Sequence, residues 1–160
     1  MFTPEEFSVL NSFSPSEKAL FNEAAALISV KSRTNRDVFN TAEFAKRFCQ
    51  YKIVHYEQEV FCLLLLDNQH RLIEFVELFH GTINRASVYP REIVKEVLKH
   101  NAAAVILTHN HPSGVPEPSH SDRRVTQQIV QILTLIETRV CDHIVVSTGG
   151  CVSFSERGWI

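Results

Sequence analysis

Neither sign of charge dominates this sequence: 16 lysines and arginines stand against 18 aspartates and glutamates. A polycation built to wrap a phosphate backbone is therefore excluded at the level of the whole chain. Long apolar runs are missing too. The longest, Val60 to Leu66, falls far short of the ~20 residues a membrane-spanning helix needs, so no membrane partner is expected. The opening Met1-Phe2-Thr3-Pro4-Glu5-Glu6 has no basic stretch leading into an apolar one, and no secretory signal is expected. Cysteine is sparse and scattered, at positions 49, 62, 141 and 151, with no C-x-x-C pair. Without a secretory signal such thiols are expected to stay reduced. H-E-x-x-H is absent, which excludes the common helix-based zinc proteases. No P-C-x-x-C is present either, the half of the zinc-deaminase signature whose cysteines complete the metal site. Repeats and low-complexity segments are also lacking. What remains is a chain of 160 residues, long enough for one cored domain and expected in the cytoplasm.

What is present reads as alternating helix and strand. Ser14-Pro15-Ser16-Glu17 is a helix start, with Ser14 as N-cap, Pro15 at the first helical position and Glu17 closing a capping box. Ala19, Leu20, Ala24, Leu27 and Ile28 follow at helical spacing. Lys31 to Asn40 is a polar linker, after which Asn40 and Glu43 can cap a helix carrying Phe44, Ala45 and Phe48. Val60 to Leu66 predicts a strand buried on both faces, ending at Asp67-Asn68, and a second strand spans about Leu72 to Phe79. Pro90 opens a helix with Ile93, Val94, Val97 and Leu98 along one stripe. Ala102 to Leu107 is another buried strand. A long helix then covers about Ser119 to Glu137, Val140 to Ser147 is a strand, and Cys151 to Phe154 is a short last one. The pattern predicts an α/β domain, a mixed sheet with flanking helices, over residues 52–160. Residues 1–51 are expected to form a helical extension.

The chemistry concentrates in residues 108–122, Thr-His-Asn-His-Pro-Ser-Gly-Val-Pro-Glu-Pro-Ser-His-Ser-Asp. His109 and His111 are two apart at the exit of a strand, so their side chains point to one side. Asp122 falls in the first turn of the following helix. There it can serve as the capping partner of Ser119, which is the plain reading, or swing toward the histidines as a third ligand. Two imidazoles and a carboxylate with a fourth position open to water make a catalytic zinc arrangement, whereas structural zinc is closed by four protein ligands. Zinc in such a site lowers the pKa of its water to ~7 and polarises a carbonyl, which suits amide hydrolysis.

His109-Asn110-His111, seven residues, Ser119, two residues and Asp122 reproduce the H-x-H-x7-S-x2-D pattern of JAMM/MPN metalloproteases. The wider sequence resembles the bacterial RadC family. The matching pieces are Gly81-Thr82, Ser87-Val88-Tyr89-Pro90-Arg91-Glu92, Ala102 to Leu107, His109 to Gly114, Pro116 to Ser119, Asp142 to Val146 and Ser153 to Gly158. Together they cover about residues 57–160. The resemblance implies a cytidine-deaminase-like JAMM/MPN fold and zinc held by His109, His111 and Asp122. It also implies Glu59 at a strand start as general acid/base, and Ser119 as donor to the oxyanion. Glu57, two residues earlier and expected on the same strand face, is the rival to Glu59. RadC-like proteins also carry a segment resembling helix-hairpin-helix DNA-binding motifs, which need glycine. The first 80 residues here contain none, so a repair role is not carried over with the family.

Two readings from different classes result. The first is a zinc hydrolase acting on a peptide or protein. The second is a module of DNA repair or recombination with little or no peptidase activity, which neither charge nor a hairpin motif supports. Other residues have plainer roles. Asp142 and His143 are strand neighbours, so only one of them can face the metal. Arg85, Arg91, Lys95 and Lys99 read as a solvated surface, and Cys62 and Cys141 as inert core. Arg123-Arg124 is the one basic pair close to the motif, where it can guide an acidic peptide terminus.

Overall fold

The computed structural model describes residues 14–16, 19, 20, 23, 39–81 and 88–160. The chain divides into two compact units, Met1–Arg36 and Asp37–Ile160. In the first, Pro15 and Ser16 are helical after Ser14, as the cap reading predicts. Glu17, Ala24, Leu27, Ile28 and residues 31–38 lie outside the described residues, as do Thr82, Arg85 and Ser87.

The second unit runs α1 (Ala42–Ile53), β1 (Val60–Leu66), β2 (Leu72–His80), α2 (Pro90–Lys99), β3 (Ala104–Asn110), α3 (His120–Leu135), β4 (Arg139–Ser147) and β5 (Gly150–Ser153). The strands form one sheet in the order β2-β1-β3-β4-β5. β3 and β4 are parallel, and the other neighbours are antiparallel. This is the mixed α/β layering the sequence predicts.

β1 is apolar throughout because every residue in it is buried. It is an inner strand, and both of its faces are covered. Val60, Cys62, Leu64 and Leu66 face α1, with Ala45, Cys49 and Ile53 across from them. Phe61, Leu63 and Leu65 face α2 and α3, against Ile93, Val97, Ile129 and Leu133. The sequence assigned residues 42–51 to an extension outside the domain. In the structure they pack on the sheet as α1 and belong to the compact unit. The N-cap of α1 is Thr41 rather than Asn40, with Thr41 Oγ1 accepting from the Phe44 N–H at 3.2 Å.

The turn after β4 fixes the loop that follows β3. Gly114 O accepts from Ser147 Oγ at 3.0 Å and from the Gly149 N–H at 3.2 Å. A Cβ at Gly149 would sit 2.4 Å from that oxygen, so only glycine permits the approach. A carboxylate–guanidinium pair, Arg157 donating to Glu117 at 2.6 and 2.7 Å, ties down the far end of the same loop.

Candidate metal centre

β3 delivers two histidines to one place. His109 is the second-last residue of the strand and lies on the face covered by α2 and α3, fully buried. His111 follows the strand, its N–H donating to Val146 O at 2.7 Å, which extends the β3–β4 ladder by one step. The two Nε2 atoms stand 3.0 Å apart. Asn110, between them, points to the other face and performs a separate task. Its Oδ1 accepts from the Val60 N–H at 2.8 Å, and its Nδ2 donates to Tyr56 O and Gln58 O at 3.1 and 2.9 Å. Those bonds pin the segment before β1, and so place Glu59 beside the end of β3.

Asp122 closes the capping box of α3 and also turns its carboxylate toward the histidines. Ser119 caps α3 and a complete capping box forms. The Ser119 N–H and hydroxyl donate to Asp122 Oδ2 at 2.6 and 2.7 Å, and the Asp122 N–H donates back to Ser119 Oγ at 3.1 Å. Held this way, the buried carboxylate still faces the imidazoles. Oδ1 is 3.6 Å from His109 Nε2, and Oδ2 is 3.7 Å from His111 Nε2. Glu59 completes the group, since one ligand atom from each of Glu59, His109, His111 and Asp122 lies within 4.8 Å of the others.

These residues fit a metal ion. Ligand atoms ~2.0–2.1 Å from a tetrahedral zinc are about 3.3 Å from one another, and the contacts of 3.0, 3.6 and 3.7 Å bracket that value. Donor chemistry agrees with the spacing. His111 Nδ1 is 2.9 Å from Val115 O, and a carbonyl can only accept. The proton of neutral His111 is therefore on Nδ1, leaving a lone pair on Nε2. Burial is the main force pulling the His109 pKa down to about 4. The Asp122 charge opposes that shift, and His111 adds to it. A buried neutral imidazole is the form that binds metal.

Behind His109 lies His143, on β4 and fully buried, with its Nε2 2.8 Å from His109 Nδ1. Of the pair Asp142 and His143, the histidine faces the site. Asp142 points to the opposite face, onto Ser153 and the Ser155 N–H. Burial holds the His143 pKa well below its usual value, helped by His109 and His111. Phe61 stacks on His109 at 6.2 Å between ring centres, and Phe154 lies 4.6 Å from the His143 ring.

Glu57 does not share a strand face with Glu59. It sits in the bend before β1 and is exposed, because regular pairing starts only at Val60. Both glutamates line a cleft of about 550 Å³, with Gly81, His111, Pro112 and Ser113. Arg123 is engaged, with its guanidinium 4.2 Å from the Trp159 ring centre and that of Arg157 4.9 Å away. Cys62 is fully buried and Cys141 half-buried, and burial pushes both thiols up. Lys95 and Lys99 are exposed on α2 beside Glu92 and Glu96, as a solvated face.

The model of the RadC-like JAB domain matches residues 39–159. The chain belongs to the RadC family. Among its relatives is a UPF0758 protein of Tolumonas auensis, 48% identical over 173 residues, which take in 98% of this chain and 77% of the relative. A UPF0758 protein of Vibrio cholerae is 53% identical over 138 residues, 86% of this chain and 87% of the relative. One from Aeromonas hydrophila is 56% identical over 124 residues, 78% of this chain, and the match covers 55% of that longer protein. The RadC-like JAB domain here thus contains a four-residue cluster able to hold a metal ion. Among the described residues, no helix is long and apolar enough to cross a membrane.

Proposed function

We propose that this RadC-family chain is a zinc-dependent hydrolase of the metallopeptidase type, acting in the cytoplasm on amide or isopeptide bonds of a peptide or protein. The observation that carries the reading is the convergence of two imidazoles and two carboxylates at one end of the sheet, beside an open cleft. Zinc bound there supplies Lewis acidity and a water whose pKa is lowered to ~7. His109, His111 and Asp122 hold the ion. Glu59 accepts the proton of the attacking water and returns it to the leaving nitrogen. Ser119 donates to the carbonyl oxygen as negative charge develops on it. To do so its hydroxyl must turn from Asp122 Oδ2, which leaves the Ser119 N–H to hold that carboxylate. The cleft lined by Glu57 and Pro112 receives the substrate.

The test is metal analysis of the purified chain, paired with a cleavage screen on peptide and isopeptide substrates. About one zinc per chain is expected, and none bound stoichiometrically in His109→Ala. Full zinc retention by that variant would refute the site. Nucleic-acid binding should be weak and independent of sequence. Tight specific binding at ~0.15 M salt, without cleavage of any substrate, would move the chain to the repair-module class.

A further inference from the structure

Three hydrogen bonds run in series from α3 through β4 to the metal centre, and each one dictates the direction of the next. Thr126 Oγ1 is 2.6 Å from Asp122 O, the carbonyl one turn earlier in α3. It is also 2.6 Å from His143 Nδ1. A hydroxyl has one proton and a carbonyl can only accept, so that proton goes to Asp122 O. Toward His143, Thr126 Oγ1 must then accept, which places a proton on His143 Nδ1. His143 is fully buried beside the rings of Phe61 and Phe154, surroundings that disfavour an imidazolium. A neutral His143 protonated on Nδ1 carries a lone pair on Nε2. Its neighbour at 2.8 Å, His109 Nδ1, must therefore be the donor. The last consequence falls on His109 Nε2. It is left with a lone pair, aimed at the cluster.

We propose that Thr126 and His143 are positioning residues that fix the tautomer of His109, so that its Nε2 lone pair faces the bound metal. The proposal rests on the metal-site reading above and assigns a task to two residues outside the ligand set. Val115 O does the same for His111 from the opposite side of the site. Both imidazoles thus turn lone pairs toward each other at 3.0 Å, an arrangement that a cation between them satisfies. Asp122 links the two ends of the system, since its carboxylate faces the imidazoles while its backbone carbonyl takes the Thr126 proton. One turn of α3 therefore supplies a ligand and sets the tautomer of another.

Nitrogen-15 NMR of the imidazoles in the full chain reads this directly, at pH 7.5 with and without zinc. The expected result is His109 and His143 both protonated on Nδ1 when zinc is bound. Thr126→Val keeps the side-chain shape and removes the acceptor, so His143 should lose its single tautomer. Zinc affinity, measured by competition with a chelator, should fall about 10- to 100-fold, the usual weight of such partners. Thr126→Ser should restore both. A wild-type His143 protonated on Nε2 would overturn the proposal, whatever the valine variant does. So would a folded Thr126→Val that binds zinc as tightly as wild type. If the wild type binds no zinc while both rings are protonated on Nδ1, the metal reading fails and the relay stands.

Discussion

Glu59 is the residue on which an active enzyme and an inert metal site diverge. Its side chain reaches the cluster because Asn110 fastens the backbone just before β1. Glu59→Gln preserves size and most hydrogen bonding but not basicity. Zinc content and thermal stability should stay near wild type, while hydrolysis of any substrate the chain cleaves drops by about 10² to 10⁴. Glu57→Gln, in the exposed bend, should change the rate far less. Equal rates for wild type and Glu59→Gln would remove Glu59 from catalysis. At this scale the sequence is informative where periodicity governs. Two histidines at i and i+2 on leaving a strand had to fall on one side, and Ser119 followed three residues later by Asp122 had to cap a helix. It is uninformative where a strand's first residue decides the outcome. Glu57 and Glu59 share a parity, but pairing begins at Val60, so the parity of Glu57 means nothing. Thr126 gave only a faint signal, its helical spacing of four from Asp122.

β4 divides its labour between two faces, and this division was hidden in the sequence. A strand of alternating duty can present Asp142 or His143 to the site. The β3–β4 register, with its irregularity between Val105 and Ile106, pairs His143 with Leu107 and so selects the histidine. Register depends on contacts across the sheet, which a linear pattern does not contain. The packing of α1 on the sheet was hidden for the same reason. On the other face, Asp142 holds β5 and the turn after it. Its Oδ1 accepts from the N–H groups of His143 and Ser155 at 2.7 and 2.9 Å, and its Oδ2 from Ser153 Oγ at 2.6 Å. Burial raises the carboxyl above its usual range, against the opposing pull of those hydrogen bonds. A raised carboxyl binds protons more tightly in the folded state than in the unfolded one. Its stabilising contribution is present below the unfolded value of 3.8 and is lost as pH rises through the raised folded value. Asp142→Asn keeps an oxygen for the two N–H groups and cannot titrate. In urea unfolding at a series of pH values, the stability of wild type relative to Asp142→Asn should fall with rising pH across that window and then level off. The opposite slope would mean that the hydrogen bonds outweigh burial. Asp142→Ala, which strands the buried His143 N–H, should be destabilised at every pH, by about 1–3 kcal/mol for that unpaired donor.

For the molecule as a whole, what matters is where the four cluster residues come from. Glu59 precedes β1, His109 is the second-last residue of β3, His111 opens the loop and Asp122 sits in the first turn of α3. The full set of four cannot gather until β1 has paired with β3 and α3 has docked on the sheet. The arrangement therefore has a place in time as well as in space. Ligand geometry that needs the assembled sheet is expected to form late in folding, so zinc should act on one limb of the kinetics. Unfolding should slow in buffered free zinc relative to chelator. The equilibrium gain should follow the free-ion concentration, about 2.7 kcal/mol at a hundredfold excess over Kd. Refolding should proceed at the same rate with or without the ion, because interactions absent from the transition state do not hasten it. Stopped-flow refolding that accelerates with zinc would show that the ligands gather before the sheet does. With unchanged refolding, occupancy becomes a marker of maturity: a chain carrying its ion is one whose distant segments have already met.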